Sequence, residues 1–330
     1  MKRGIRGVGL LLLLWGCSGA LHTGVQEVPV KADNPSAVDG PRVRILGIAQ
    51  DGGLPHAACS CTNCTAARTD PNRASGVASL GIIAPTAGKA YLVDASPDII
   101  QQLALLSDVR TLEPNRVDRT PVDGVFLTHA HIGHYLGLAL LGFEAVNTQE
   151  LPVWCSQKMG DFLTKNAPWD RLISQKNLAL NVETSGEPVS LSDGIQVTPI
   201  GVPHRAEYTD TYGYLMAGAR QRVLYIPDTS PWHAWSHPME DVLTDVNVAL
   251  LDGTFYSGDE LPGRDLTKIG HPLMVDTMDR LQSRVDAGTL RVIFVHLNHS
   301  NPALDPSSDA RKTVEKRGFS IGVQGQEFAL

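Results

Sequence analysis

Residues 125–134 read Val-Phe-Leu-Thr-His-Ala-His-Ile-Gly-His, a short apolar run followed by three histidines within six residues. The apolar run predicts a buried strand, and the histidines follow at its end. Neutral imidazole is a common protein ligand for zinc, copper and non-haem iron, and three imidazoles this close have few structural uses that would offset their desolvation. The stretch therefore predicts a metal site at a strand end. The alternative is a solvated, histidine-rich turn.

Outward from this stretch, short apolar segments alternate with amphipathic ones. Strands are predicted at 43–48, 78–84, 89–94, 122–128, 153–155, 195–202, 212–216, 222–226, 246–251 and 291–295, and helices at 96–106, 136–141, 159–166 and 272–287. Two strand-dense halves that each carry helices favour an α/β fold, an αβ/βα four-layer sandwich with the sheets face to face and the helices outside. No linker interrupts residues 41–330, so we predict one catalytic domain over that range.

Residues 1–16 predict an export signal. Three cations precede an apolar run at 8–15 that is too short to cross a bilayer as a permanent helix. Leu-Trp-Gly-Cys at 14–17 resembles a bacterial lipoprotein signal, in which the leader is removed and Cys17 carries the lipid. This predicts a lipid-anchored protein on the periplasmic side of a bacterial membrane, the outer membrane, with 17–40 as a tether. The alternative is an ordinary secretory signal with a chance cysteine.

The charge balance argues against nucleic acid as a partner. The formal net charge is −7, and removing the three cations of the leader makes it −10. A protein that holds a phosphate backbone normally carries a basic stripe, and no cluster of lysine and arginine follows residue 6. We therefore predict a small-molecule substrate and no nucleic-acid partner. The sequence specifies no oligomeric state.

Three more predicted strands end beside residues that can bind a metal. His204 follows the strand at 195–202, Asp228 follows the strand at 222–226, and His296 follows the strand at 291–295. Side chains at the ends of several strands converge on one edge of a sheet, which holds a rigid site while the loops vary. Alone, each residue favours a structural role; together with the histidine cluster they favour one metal centre.

In this order the residues resemble the ligand motifs of the metallo-β-lactamase superfamily, His-x-His-x-Asp-His followed by a distant His, an Asp and a last His. The resemblance covers residues 41–330 and implies the four-layer sandwich of that superfamily. It also implies two adjacent metal positions that share one carboxylate. The first would be held by His129, His131, His204 and Asp228, and the second by His134, His296 and the same Asp228.

One element of the superfamily motif is missing, because its aspartate is Gly133 here. That carboxylate ligates the second metal and orients the attacking water, so we expect a weaker second site: a mononuclear centre or an altered second metal. The resemblance implies one or two zinc ions in the active site, with iron or manganese as alternatives. Asp94 resembles the superfamily's early aspartate, which hydrogen-bonds the histidine loop.

Other motifs narrow the resemblance. They are Ile-Ala-Gln-Asp-Gly-Gly at 48–53, Cys-Ser-Cys-Thr-Asn-Cys at 59–64, Leu-Asp-Gly-Thr-Phe at 251–255, Gly-His at 270–271 and Phe-Val-His-Leu-Asn-His-Ser-Asn-Pro at 294–302. Together they resemble the family of pyrroloquinoline quinone biosynthesis protein B (PqqB). A looser similarity to ribonuclease Z implies that His271 donates a proton to the leaving group while Asp252 fixes its tautomer. The residues alone leave an alternative, in which Asp252 caps a turn and His271 caps the following helix.

Cys59, Cys61 and Cys64 supply three thiolates, one ligand short of a closed tetrahedral zinc site. A similarity to the cyclic phosphodiesterase of phosphonate breakdown implies that His299 is the fourth ligand of a structural zinc. Such a site would pin the N-terminal loop to the C-terminal strand and contribute to folding. The alternative is a disulfide within the trio, since disulfides form in oxidising compartments.

These patterns leave three functions open. The favoured one is an exported metallo-hydrolase in which a metal-bound hydroxide attacks a small ester, lactone, amide or phosphodiester, with Asp228, Asp252 and His271 as its catalytic residues. The second is a PqqB-like, iron-dependent hydroxylase or oxygenase, as that resemblance implies. The third is a non-catalytic metal-binding homologue in which Gly133 marks lost chemistry. The otherwise intact ligand set disfavours the third, and export disfavours a role in making a cytoplasmic cofactor.

Overall fold

The computed structural model describes residues 39–109, 119–260, 263, 265 and 270–330, together with Met1. The predicted leader at 1–16, the predicted lipidation site Cys17 and most of the predicted tether at 17–40 lie outside the described residues. The chain divides into two units, residues 1–30 and 31–330, and the described helices and strands all lie in the second. Of the described helices, none is long and apolar enough to cross a membrane.

The first sheet contains seven strands that come from both ends of the domain. In chain order they are β1 (Arg42–Gly47), β2 (Ser79–Ala84), β3 (Lys89–Val93), β4 (Val125–Phe126), β5 (Leu151–Cys155), β6 (Leu178–Val182) and β14 (Glu327–Ala329). Their spatial order is β14-β1-β2-β3-β4-β5-β6. Strands β3 to β6 are parallel. Strand β1 runs in the same direction because β1 and β3 are both antiparallel to β2.

The second sheet also contains seven strands. They are β7 (Val189–Ser190), β8 (Gln196–Val202), β9 (Thr211–Ala217), β10 (Arg222–Ile226), β11 (Val248–Asp252), β12 (Arg291–Val295) and β13 (Ser320–Ile321). Their spatial order is β13-β12-β11-β10-β9-β8-β7. Strands β10 to β13 are parallel, and β8 runs with them because β8 and β10 are both antiparallel to β9.

Helices connect and cover the strands. They are α1 (Thr62–Thr69), α2 (Ile99–Ala104), α3 (Ile132–Tyr135), α4 (Gln157–Lys165), α5 (Trp169–Ser174), α6 (Met239–Val242), α7 (Met274–Asp286) and α8 (Asp309–Lys316). The predicted helix at 136–141 is a 3₁₀ segment, Leu136–Leu141, that continues the single turn of α3. Gly137 lies within this segment, and glycine has a low propensity for a regular α-helix.

The layers follow from the alternation of side chains along the strands. In β2, Ile82 points into the core shared by both sheets, whereas Ile83 points to the opposite face and packs in the same cluster as Met159 of α4. Met278 of α7 packs with the second sheet. Between the sheets, the rings of Phe126 and Tyr214 meet edge to face at 5.5 Å. The predicted αβ/βα four-layer sandwich is therefore confirmed.

The parallel strands bring their carboxyl ends to one edge of each sheet, where the predicted site residues lie. Asp94 follows β3, the histidine loop follows β4, His204 follows β8, Asp228 follows β10, Asp252 ends β11, and His296 follows β12. Because the two sheets face one another, these ends form one seam across the molecule. Strand β4 has only two residues instead of the predicted seven, since the backbone leaves the sheet early to form this seam.

Candidate metal centre

The histidine loop is held in place by one buried carboxylate. Asp94 accepts the backbone N–H of Thr128 at Oδ1 (2.8 Å) and the Thr128 hydroxyl at Oδ2 (3.0 Å). The same Oδ2 lies 2.7 Å from Nδ1 of His134. The turn of α3 then brings the rings of His129 and His134 to 4.3 Å between centroids. Asp94 therefore fixes both ends of the loop, which is the contact expected for it.

Hydrogen bonds determine which nitrogen of each ring faces the seam. Nδ1 of His129 lies 3.0 Å from the Thr128 hydroxyl, which already donates its proton to Asp94, so the imidazole must be the donor. Nδ1 of His296 lies 3.0 Å from the Thr254 hydroxyl, which donates to the His296 carbonyl. In both rings Nε2 keeps its lone pair, and both Nε2 atoms are buried without a hydrogen bond. An imidazole held in this way presents the free lone pair of Nε2 to a metal ion.

Four ligand atoms from both sheets converge on a first position. Oδ2 of Asp228 lies 3.3 Å from His129 Nε2, 3.6 Å from His131 Nδ1 and 3.1 Å from His204 Nε2. The nitrogens of His131 and His204 are 3.2 Å apart. Ligands at roughly 2.1 Å from one tetrahedral cation are about 3.4 Å from each other, so these spacings fit a metal ion. The outer nitrogen of His131 contacts Glu207 at 3.2 Å, which orients the ring.

A second group of ligand atoms adjoins the first. It consists of Asp51, His134 and His296, whose nearest ligand atoms lie within 4.8 Å of one another. Asp228 Oδ2 is 4.0 Å from His134 Nε2 and 3.9 Å from His296 Nε2, so it lies between the two groups. Asp51 was not among the residues predicted from the sequence. It lies four residues beyond β1, whose carboxyl end reaches the same edge, so the strand-end pattern that picked out His204 could have found it.

His271 and Asp252 form the pair that the resemblance implied. Nδ1 of His271 lies 3.0 Å from Asp252 Oδ2 and 3.2 Å from Asp228 Oδ1. Asp252 also accepts the backbone N–H of Thr254 at 2.9 Å, so it caps a turn as well as contacting the imidazole. Helix α7 begins after Leu273 with no side-chain cap, and His271 therefore does not serve as its cap.

Burial favours the neutral form of two of the candidate ligand histidines. It lowers the pKa of His129 well below the ordinary value and also lowers the pKa of His296. In His134 burial also lowers the pKa, but the nearby carboxylates, Asp94 first and then Asp51, outweigh it and raise the pKa to about 9. A bound cation would take the place of that proton, because imidazole ligates only in its neutral form.

The pKa shifts of His271 and Asp228 favour charged forms instead. Burial lowers the pKa of His271, but the carboxylates of Asp252 and Asp228 outweigh it and raise the pKa well above the ordinary value. Burial raises the pKa of Asp228, yet the neighbouring imidazoles, first His271 and then His296, hold it well below the usual range. Both shifts favour the charged forms, an imidazolium at His271 and a carboxylate at Asp228.

Two residues of the seam adopt left-handed backbone conformations. Asp94 has φ of 65° and His296 has φ of 60°. Non-glycine residues in this region are uncommon and are often retained at functional sites, where the surrounding structure imposes them. Here the conformation turns the chain out of β3 and β12 directly after the last strand residue, which aims both side chains into the seam.

A separate cluster joins the predicted cysteines to the C-terminal half. Cys59, Cys61, Cys64 and His299 bring their ligand atoms within 4.8 Å of one another, with Nδ1 of His299 3.4 Å from Cys59 Sγ and 3.6 Å from Cys61 Sγ. All described cysteines are free thiols. The structure therefore has no disulfide among these three cysteines, contrary to the alternative. Burial raises the pKa of Cys64 to about 11, and its sulfur accepts the backbone N–H of His56 at 3.2 Å.

A comparison with protein-family models matches residues 89–324 to a family described as the beta-lactamase superfamily domain. Among curated proteins, coenzyme PQQ synthesis protein B of Rhizobium meliloti is 28% identical over 318 residues, covering 88% of this chain and 98% of the relative.

Solved structures give the same picture of the fold. Zn(2+)-bound PqqB from Methylobacterium extorquens superposes with a TM-score of 0.74 at 22% identity, covering 88% of this chain and all of the other. A diphosphatase from the PhnP family superposes with a TM-score of 0.62 at 19% identity, covering 88% of this chain and 98% of the other.

Proposed function

Because this chain belongs to the beta-lactamase superfamily, we propose that it is a metal-dependent hydrolase whose active site is the seam between the two sheets. Its substrate is a small ester, lactone, amide or phosphodiester. Two observations support the proposal. Buried donor atoms converge at the seam, and the His271–Asp252 pair lies beside them.

The donor set suits a divalent cation. Nε2 atoms of His129, His134 and His296 are buried and make no hydrogen bond, an arrangement that costs free energy unless a cation is bound. Imidazole and carboxylate oxygen are the ligands of catalytic zinc and also suit Fe(II). When bound, a cation supplies a Lewis acid and a water of lowered pKa. Within the chain, Asp94, Thr128 and Thr254 hold the ligand rings in the orientation this needs.

The observation that carries the hydrolase proposal is the position and charge of His271. Its Nδ1 faces Asp252 and Asp228, so its other nitrogen, Nε2, is the one available to a substrate, and 18% of the side chain is exposed. The carboxylates of Asp252 and Asp228 raise the pKa of the ring, which favours the protonated form that a general acid needs. Donation of this proton to a departing oxygen or nitrogen lets the bond to the leaving group break without forming a strong base.

A second candidate is an iron-dependent oxygenase. It is favoured by the similarity to coenzyme PQQ synthesis protein B and by donors that suit Fe(II). The two candidates differ in their need for His271. Hydrolysis releases a leaving group that takes up a proton, and His271 would supply it.

Two variants and a metal analysis test the proposal. Protein purified with and without air would be analysed for metal, and then assayed with ester, lactone and phosphodiester substrates and for oxygen consumption. We expect zinc-dependent hydrolysis, a kcat lowered roughly 10²- to 10⁴-fold by His271→Gln, and an unchanged metal content in that variant. His233→Gln, an exposed histidine, is the control. Iron with oxygen consumption and no hydrolysis would refute the hydrolase.

We also propose zinc in the cysteine cluster and export as a lipoprotein. Three thiolates and one imidazole form a standard structural zinc site.

Export is supported by the sequence of residues 1–17. Expressed from the full gene, the protein is expected in the membrane fraction, and Cys17→Ala is expected to move it to the soluble fraction. Equal partitioning of both forms would contradict the lipid anchor.

A further inference from the structure

Gly133 lies where the structure leaves no room for a side chain. A Cβ added to it would be 2.1 Å from Oδ1 of Asp51, 3.0 Å from its Cγ and 2.8 Å from its Cα. Such distances are too short for non-bonded atoms. The side chain of Asp51 thus fills the volume that a side chain at position 133 would need, although the two residues are 82 positions apart in the sequence.

The carboxylate of Asp51 points toward the second group of ligand atoms. Its Oδ2 accepts the amide of Gln50 at 3.2 Å. Its Oδ1 is buried without a hydrogen bond and lies 3.6 Å from Nε2 of His134. That distance is too long for a hydrogen bond between the two, but it is close to the separation of about 3.4 Å between two ligands of one tetrahedral cation.

The loop that carries Asp51 is tied directly to the strand that carries His296. Ala49 pairs with Leu297 in an isolated bridge, and the backbone N–H of Gln50 donates to the Leu297 carbonyl at 2.9 Å. Leu297 is the residue after His296. These backbone contacts fix the position of Asp51 relative to His296, so the carboxylate is part of a rigid arrangement rather than a surface loop.

We propose that Asp51 supplies, from the loop after β1, the carboxylate that the histidine loop lacks at Gly133. With His134, His296 and Asp228 it completes a second divalent-cation position. Each position then has at least one carboxylate and two imidazoles, and the reason to expect a weaker second site disappears. This inference rests on the proposed function, because it assumes that a metal binds at the seam.

The decisive variant is Asp51→Asn, which keeps the shape of the side chain and removes its charge. Metal-depleted wild type and variant would be reconstituted with Zn²⁺ or Co²⁺, and bound metal per chain measured together with the Co²⁺ absorption spectrum. We expect the variant to hold one metal fewer and to lose the spectral bands of one cobalt. The control is Asp245→Asn, which makes the same charge change at a residue whose side chain is 77% exposed and whose positive φ asparagine tolerates.

A second variant, Gly133→Ala, tests whether position 133 and the Asp51 side chain compete for the same volume. Gly133→Ala places a Cβ against the Asp51 carboxylate and is expected to lose the same single metal. The double variant Asp51→Asn, Gly133→Ala is expected to lose no more than either single variant, because both changes act on one position. Loss of two metals in the double variant would contradict the inference.

The outcomes separate this inference from the proposed function. If Asp51→Asn retains all the metal of the wild type, Asp51 only pairs electrostatically with His134 and the inference is wrong, while the hydrolase proposal stands. If the wild type binds no metal beyond the cysteine cluster, the hydrolase proposal fails and the inference fails with it. Melting temperatures of the metal-free proteins, expected to agree within a few degrees, show that each variant folds.

Discussion

At the scale of single residues, the seam depends on the neighbours of the ligands as much as on the ligands. Thr128 and Thr254 each use their one hydroxyl proton elsewhere and so can only accept from the imidazole beside them. Each threonine thereby selects the tautomer that leaves Nε2 free. Such partners of metal ligands normally change metal affinity about 10- to 100-fold when removed.

Thr254→Val tests this role. Valine keeps the shape but offers no acceptor, so Nδ1 of His296 loses its partner and the tautomer is no longer fixed. We expect metal affinity at the seam to fall about 10- to 100-fold in a competition titration with a chelator. Thr254→Ser retains the hydroxyl and is expected to bind metal as the wild type does. Equal affinity in all three proteins would contradict the role assigned to this hydroxyl.

Glu183 provides a pH-dependent contribution to stability. It is buried beside Tyr214, and burial raises its pKa to about 7. The Tyr214 hydroxyl lies 2.9 Å from both Glu183 Oε2 and the Leu127 carbonyl, but it has one proton to donate. A protonated Glu183 resolves this, because it donates to the tyrosine, which then donates to the carbonyl.

The sign of the effect follows from proton linkage. The folded protein holds this proton up to about pH 7, whereas the unfolded chain releases it near pH 4.5. Stability is therefore lost as pH rises between these values, by about 3 kcal/mol in total. Glu183→Gln is expected to remove this loss, so denaturant unfolding at pH 5 and pH 8 should differ less than in the wild type. Exposed Glu187→Gln is the control, and an unchanged difference in Glu183→Gln would refute the assignment.

At the scale of elements, the segment between β1 and α1 links the two candidate metal-binding clusters. It carries Asp51 at one end and Cys59 and Cys61 at the other, and both ends contact the segment from Leu297 to His299. A cation in the cysteine cluster would therefore fasten the Asp51 loop to the chain that carries His296.

Cys61→Ala tests the structural role of this cluster. We expect the loss of one metal per chain and a lower melting temperature, because the remaining three ligands leave the zinc site open. The folded remainder, supplied with excess metal, is expected to keep its kcat. Cys155→Ala, at a buried strand residue outside both clusters, should lower the melting temperature without metal loss. A normal metal content in Cys61→Ala would contradict the proposed site.

Sequence patterns predicted the elements whose side chains alternate clearly and missed those fixed by tertiary contacts. Strands β2, β3 and β10 were predicted within a residue or two, because their apolar runs are bounded by turn residues. Strand β6, the short strands β7, β13 and β14, and helices α1, α3, α5, α6 and α8 were missed, since short or polar segments carry little periodic signal. The position of Asp51 after β1 fits the strand-end pattern, but its contact with Gly133 comes from chain packing, which local patterns do not encode.

At the scale of the whole molecule, the seam is assembled from both sheets. The first sheet and its loops supply Asp51, His129, His131 and His134, and the second supplies His204, Asp228 and His296. The ordered set of strand-end residues was enough to predict this assembly, except for Asp51. The substrate could not be predicted, because loop surfaces rather than ligands choose it.

Because neither sheet holds a complete set of ligands, a metal bound at the seam should stabilise the packing of one sheet on the other. A cation at a thousand times its Kd adds about 4 kcal/mol to the free energy of unfolding. For a domain of this size that corresponds to a rise in melting temperature on the order of 10 °C.

This effect can be separated from that of the cysteine cluster by melting each protein with and without a chelator at constant pH. The wild type should lose stability at both clusters, and Cys61→Ala should lose it only at the seam. His131→Ala removes a ligand from the first position and should abolish turnover, release one metal and shrink the chelator-dependent shift relative to the wild type. His233→Gln should keep the full shift. A chelator that lowers the melting temperature of His131→Ala as much as that of the wild type would mean that the seam does not join the two sheets through a metal.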